Sequence, residues 1–459
     1  MIIKIDNVYS TISNISRDAL MVLRDALSVE VPGYQFTNAY KRGNWDGRKS
    51  MLKHNKFRTG LLGMVEKLLQ ENGLEYSLDG QYGEQHSIPE VGSKTLDNVV
   101  LRHYQVVAAN TALTSCRGII RIPTGGGKTE VAAAILHSAI ADKRLALFLS
   151  GMKISALQPA ERFISRGIDA SNIAVVGAGR DDTIPNIGVV SATVQTLRNR
   201  LNDAWLRNVS VLILDECHHG SAETWLKCAD AVDASIRIGL SGTPLVGTKI
   251  RDLELIGVTG DVIYDITPKY LADRGYLAKA DVIGHTVYTD KIKTVKYARA
   301  YSKTIANDGR NGIILDISRN HDTVHLILVN RISHGKLLNN LIADSVFISG
   351  SSSDDVRESV LRDMREGKSG NYIATQIFDE CVDVPTIGML TMAGGGKAQH
   401  KTIQRAGRAL RIHDGNDRVT IHDFVDLGNP NLLEHSLLRF KAYEEMGFDV
   451  TILDESHLL

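Results

Sequence analysis

The stretch 118-GIIRIPTGGGKTEVAAAILHSAI-140 decides the fold. A short β-branched run, 118-GIIRIP-123, leads into three glycines and then into TEVAAAILHSAI, whose composition favours helix. Glycines admit the left-handed backbone of a tight turn and let N–H groups close on phosphate oxygens, while the helix start adds its dipole. In that geometry Thr124, Gly125, Gly126 and Gly127 line the loop, Lys128 reaches the β/γ-phosphates and Thr129 coordinates Mg²⁺. The strict P-loop string wants a small residue where this chain has Ile122, so the strand–loop–helix context identifies the loop.

Working outward, apolar runs alternate with helical patterns from about Val99 onward, which is how βαβ units around a parallel sheet read. They form two sets. The first holds 118-GIIRIP-123, 145-LALFLS-150, 173-IAVVGA-178, 187-IGVVSA-192, 209-VSVLILD-215 and 236-IRIGLSGT-243; the second holds 325-HLILVN-330, 345-SVFISG-350, 372-YIATQIF-378, 387-IGMLTMA-393 and 419-VTIHDFVD-426. Each set suffices for one doubly wound α/β domain. Helical patterns near 16-SRDALMVLRDAL-27 and 60-GLLGMVEKLLQEN-72 flank a loop-rich basic stretch, giving a small α+β module first. The expected division is 1–95 for the module, 96–268 for the ATP-binding domain, and 269–459 for the hinge and second sheet domain.

With 459 residues, 43% hydrophobic content and 23% charged residues, the chain has the composition of a multi-domain globular protein. Its 53 basic residues balance 53 acidic ones, so nucleic acid is not held by bulk charge and any contact must be local. Four cysteines, at 116, 217, 228 and 381, form neither a disulfide framework nor a CxxC pair, which fits a reducing cytoplasm. No apolar run approaches the ~20 residues a bilayer needs, and no signal segment opens the chain, so membrane partners are not expected.

Within 209-VSVLILDECHHG-220 an apolar strand delivers two carboxylates at its carboxyl end, where open α/β sheets place ligand chemistry. Asp215 suits Mg²⁺ through water, and Glu216 suits polarising an attacking water. Adjacent His218 and His219 lack ligand-spaced partners for zinc. In 404-QRAGRALR-411, Arg408 and Arg411 share one face if the segment is helical, so both can aim at one polyphosphate.

With these motifs in this order, roughly residues 98 to 428 resemble a superfamily 2 helicase. The resemblance implies two RecA-like domains in tandem, with arginine fingers Arg408 and Arg411 supplied by the second across an interdomain cleft and Gln404 near the γ-phosphate. It also implies that Gln105 in 102-RHYQ-105 reads adenine, that Asp383 in 380-ECVDVP-385 contacts ribose, and that His218, Ser241 and Thr243 couple hydrolysis to nucleic acid. Candidate phosphate grips, by motif order, are Ser150, Gly151, Thr193, Gln195, Arg331 and Thr375. The segment 148-FLSGMKISALQ-158 departs from the family in lacking the usual proline and threonine, and 394-GGGK-397 mimics a P-loop but is followed by Ala398.

The first module carries Lys41, Arg42, Arg48, Lys49, Lys53, Lys56 and Arg58 against one acid, Asp46, with Tyr40 and Trp45 interleaved. Such a patch holds phosphates while an aromatic stacks on a base, or else it is a solvated face around a buried tryptophan. Together with GNWDGR and the compact motor behind it, the layout resembles phage UvsW-type recombination helicases. The expected output is ATP- and Mg²⁺-dependent remodelling of branched or forked DNA, by fork regression and branch migration. An RNA helicase, or a nucleotide-switched clamp that anneals strands, would carry the same motifs.

Overall fold

The computed structural model describes residues 1–81, 88–151, 154–245, 247–288, 297–375, 384, 386–395 and 418–454. Two compact units emerge: Met1–Ile122 with Gly127–Asp265, and Ile266–Leu459 with Pro123–Gly126.

In the first unit the amino-terminal strands order as Lys56–Arg58, Tyr9–Ser13, Ile2–Lys4, Ser77–Asp79. The helix Arg17–Ala26 starts where the Ser16 side chain accepts from the Ala19 N–H at 3.2 Å. It buries Ala19 and Leu23, while Leu62–Glu71 buries Leu62, Val65 and Leu69, the i, i+3, i+7 stripe of an amphipathic helix. Both stripes close on Ile3, Ile12 and Phe57.

The same unit holds an eight-stranded sheet, ordered Arg180–Asp181, Ile173–Gly177, Gly188–Thr193, Leu145–Ser150, Val209–Asp215, Ile236–Ser241, Arg117–Arg121, Val262–Asp265. Every pairing is parallel except that of the edge strand Arg180–Asp181. Helices cover both faces, which explains why Leu145–Ser150 is buried throughout instead of alternating. Register aligns the carboxyl ends: Ser150 pairs with Thr193, Asp215 with Leu240, and Ser241 with Arg121. Motifs far apart in sequence therefore share one edge.

The second unit is a seven-stranded parallel sheet, ordered Val346–Ile348, Gly370–Ala374, Val324–Leu328, Ile387–Thr391, Arg418–Asp426, Lys279–Val287, Asp449–Leu453. Its interior holds paired charges. Arg439 forks onto buried Asp423 at 2.8 and 2.9 Å, and the Tyr443 hydroxyl donates to the same carboxylate at 3.0 Å. Arg310 meets Asp426 at 3.1 Å and the Ala393 carbonyl at 2.8 Å. Buried charges of this kind hold only because each is paired and hydrogen-bonded. Among the described residues no helix is long and apolar enough to cross a membrane.

Candidate functional site: the nucleotide edge of the first sheet

The strand Arg117–Arg121 runs into buried Ile122 and then into the glycine loop, and the helix Lys128–Ala141 follows. Gly125 (φ 81°) and Gly127 (φ 79°) take the left-handed backbone that an L side chain resists. Gly127 is constrained twice, because a Cβ there would also lie 2.3 Å from Gln105 Nε2. Gln105 is buried against the loop, and its Oε1 accepts from the Arg102 N–H at 2.9 Å. The residue expected to read adenine thus abuts the backbone expected to cradle phosphate.

Lys128 extends from the first turn of this helix to 3.6 Å from Glu216 Oε1, and its ammonium lies 3.5 Å from the Ile122 carbonyl. Burial, and then the neighbouring Glu216 charge, push the Asp215 carboxyl up to about 7. Such a carboxylate ionises fully only beside added positive charge. Its carboxylate oxygens and the Thr129 hydroxyl are hard donors of the type Mg²⁺ takes, an ion that completes its shell with waters and substrate phosphates.

Glu216 occupies the left-handed region (φ 49°), which costs a non-glycine residue on the order of 1–3 kcal/mol. The sharp turn brings one carboxylate oxygen to Lys128 and the other to 3.3 Å from His218 Nδ1. His218 Nδ1 also lies 3.2 Å from Ser241 Oγ, which accepts the Thr243 N–H at 3.1 Å. Lys128, Glu216, His218, Ser241 and Thr243 therefore form one continuous polar path along the carboxyl edge. Cys217 turns inward, where a side chain at Gly239 would collide with its Sγ at 2.9 Å.

The phosphate-grip candidates are placed less uniformly. Ser150 and Thr193 are buried, and their hydroxyls already serve the fold: Ser150 donates to the Ala192 carbonyl at 3.4 Å, and Thr193 accepts from the Thr196 N–H at 3.3 Å. Gly151 lies beside Trp225, and Gln195 is exposed. In the second unit, Arg331 packs over the Tyr301 ring at 4.8 Å and donates to Ser302, while Thr375 follows the strand Gly370–Ala374, its N–H donating to the Ile348 carbonyl at 3.3 Å. Gln404, Arg408, Arg411 and Asp383 lie outside the described residues, as does 396–398.

The basic patch divides by role. Arg58 forks onto Asp230, and Lys49 pairs with Glu254. Arg48 binds the Ser28 carbonyl at 2.9 Å and the Asp25 carboxylate at 3.2 Å. Trp45 is half-buried and donates to the Arg48 carbonyl at 2.7 Å. Lys41, Arg42, Lys53 and Lys56 stay exposed, Lys56 over the Tyr9 ring. Basic-run reading passes over Phe36, which is 75% exposed on the turn Tyr34–Phe36, directly before the short helix Asn38–Lys41. Tyr34 and Tyr40 meet edge-to-face at 4.7 Å and brace the turn. A lone phenylalanine carries no sequence signal of its exposure, since hydrophobicity alone argues for the core.

Three family models match the chain: "DNA helicase UvsW, N-terminal" over residues 3–79, "Type III restriction enzyme, res subunit" over 98–246, and "Helicase conserved C-terminal domain" over 309–413. The ATP-dependent DNA helicase uvsW of Enterobacteria phage T4 is 23% identical, with 93% of this chain and 94% of that protein aligned. The DNA 3'-5' translocase XPB2 of Sulfurisphaera tokodaii is 25% identical over 69% of this chain and 80% of its own. Among solved structures, a putative HsdR subunit fragment of a type I restriction enzyme from Vibrio vulnificus superposes with a TM-score of 0.61 at 18% identity, covering 78% of this chain and 69% of that one. Dbp5 of S. cerevisiae bound to RNA and ADP BeF3 gives 0.53 at 15% identity, covering 77% and 90%. Those two likenesses show the tandem RecA-like fold. The three family models and the motif-bearing sheet edge point the same way: along its length the chain is similar to superfamily 2 DNA helicases, it is an enzyme of the ATPase/helicase kind, and its amino-terminal segment matches the UvsW model.

Proposed function

We propose that this helicase remodels branched DNA, regressing forks and migrating four-way junctions, with residues 1–95 engaging duplex or junction, 96–268 binding ATP and 269–459 completing the catalytic set. The observation that carries the chemistry is the Lys128–Glu216–His218–Ser241 path, which joins the nucleotide loop to the motif expected to answer to nucleic acid. In this reading Glu216 orients and polarises the attacking water, and Lys128 holds the β/γ-phosphates. Thr129 and Asp215 hold Mg²⁺, which neutralises charge on the phosphates when bound. Gln105 contacts adenine and Asp383 the ribose. Gln404 stands near the γ-phosphate, and Arg408 and Arg411 balance transition-state charge, a role typically worth ~10³–10⁵ in rate.

The branched-DNA assignment draws on the UvsW-type amino-terminal match and on the exposed trio Phe36, Lys41 and Arg42. Ser150, Gly151, Thr193, Gln195, Arg331 and Thr375 remain the proposed track. The burial of the Ser150 and Thr193 hydroxyls favours backbone contacts there.

The test is ATPase and strand displacement across single-stranded, duplex, forked and four-way DNA with RNA equivalents. Lys128→Ala should abolish turnover and displacement while DNA binding persists; unwinding by that protein refutes the P-loop assignment. Stimulation by RNA alone would make it an RNA remodeller. ATP-dependent annealing without displacement would make it a clamp.

A further inference from the structure

The joint between the amino-terminal module and the P-loop domain, both within the first unit, is built on the elements that carry the ATP-site motifs. The helix Glu223–Asp230 begins just after 215-DECHHG-220 and ends with Asp230. A carboxylate on a last helical residue faces the negative end of the dipole and is locally unfavourable. Asp230 is compensated from the module: Arg58 donates to it twice, at 2.9 and 2.8 Å, and the Tyr9 hydroxyl donates at 2.8 Å.

A second anchor lies on the helix Lys249–Thr259, downstream of 241-SGTP-244, where buried Glu254 pairs with Lys49. On the same helix Leu253 and Ile256 enter the module's apolar core. Gly60 packs so closely that a Cβ would lie 2.0 Å from the Ile256 carbonyl oxygen. The third anchor is Arg117, first residue of the P-loop strand, which donates to the Val258 carbonyl at 3.1 Å and to the Asn7 carbonyl of the module. Each of the three elements thus has an ATP-site or coupling motif near one end and the module against its remainder. The P-loop strand spans about 17 Å at ~3.3 Å per residue.

We propose that this joint makes the module a fixed lever on the ATP-binding domain, with Asp230 its positioning residue. DNA gripped by the module is displaced by whatever movement turnover imposes on the P-loop strand and the helices behind the two motifs. A module on a flexible tether would bind the same DNA and transmit nothing. The bidentate Arg58–Asp230 pair supplies directional stiffness that apolar packing alone lacks. Removing one partner strands the other's charge in a partly desolvated seam. The inference rests on the branched-DNA reading above.

The experiment compares the full-length wild type, Asp230→Ala, and the charge swap Arg58→Asp with Asp230→Arg. Forked-DNA binding, DNA-free ATPase and base pairs displaced per ATP hydrolysed are measured on each. Asp230→Ala should keep binding and DNA-free turnover within about twofold, while displacement per ATP falls about tenfold, a coupling of ~1.4 kcal/mol. The swap should recover most of that loss, which a misfolded single variant would not explain. Undiminished displacement per ATP in Asp230→Ala overturns the lever, as does a loss the swap leaves unrepaired. A wild type whose ATPase ignores DNA fails the helicase reading itself and takes the lever with it.

Discussion

Glu216 combines a strained backbone with two polar neighbours, because φ 49° puts Lys128 on one oxygen and His218 on the other. Replacing the carboxylate by an isosteric amide keeps the turn and removes the proposed base. Glu216→Gln should therefore lower ATP turnover by ~10²-fold or more, with ATP affinity nearly unchanged in equilibrium nucleotide binding. An equal fall in affinity would assign Glu216 to substrate binding. These residues were legible in the chain because each motif is local: glycines at fixed offsets, acids at a strand end. Asp230 is not, since its partner Arg58 is 172 positions away and in sequence reads as one more cation of the basic patch. Nor does the sequence show that Arg48 meets Asp25 and Lys49 meets Glu254, so both charges read there as part of one basic patch.

At the scale of elements, strands in the parallel sheets were readable from apolar runs of six or so residues, and the run 145-LALFLS-150 has the bounds of the strand. Short or solvent-facing strands carry no such signal. Ile2–Lys4 is three residues long, and Asp449–Leu453 is an edge strand largely exposed along its length, so neither produces the doubly buried signal. Gly60 packs tightly against Ile256 and Gly257 across the seam between elements. Gly60→Ala forces backbone apart and should destabilise that seam by about 1–3 kcal/mol, seen as faster amide exchange in Thr59–Leu61 and Lys249–Thr259. Unchanged exchange in both segments would mean the contact relaxes freely. Phe36→Ala, on the exposed turn, should instead weaken forked-DNA binding, by ~1–3 kcal/mol if a base stacks there, without touching stability.

For the whole molecule, a formal net charge of zero places DNA affinity in local phosphate contacts and not in bulk charge. Neutralising Lys41 and Arg42 together should reduce the slope of log affinity against log salt by about 2, whereas Phe36→Ala should leave the slope alone. An unaltered slope in the double variant would remove those two cations from the interface. Acid acts on the second unit. Burial pushes His325 and His334 down to about 3 and His422 down to about 4, from an ordinary value of 6.5. All three are neutral in the fold, while the unfolded chain takes up protons below 6.5. Their contribution is therefore complete above pH 6.5 and lost as pH falls toward 3–4, by at most ~1.4 kcal/mol per histidine per pH unit. Denaturant midpoints at pH 7.5 and pH 5 should differ in that sense, and His325→Gln should flatten the difference. A midpoint indifferent to pH would mean these rings are not buried in solution.

Leu253 and Ile256 sit on the motor's own helix yet complete the hydrophobic interior of the opening module. A shortened chain starting near residue 96 would bare that apolar strip and leave two carboxylates without their cations, inviting aggregation. Transplanting the module onto an unrelated motor would fail for the converse reason, because the recipient would lack Leu253 and Ile256, the two side chains that close the module's core from outside. Exchange between such enzymes is therefore viable only as a matched pair, module together with the helix that receives it.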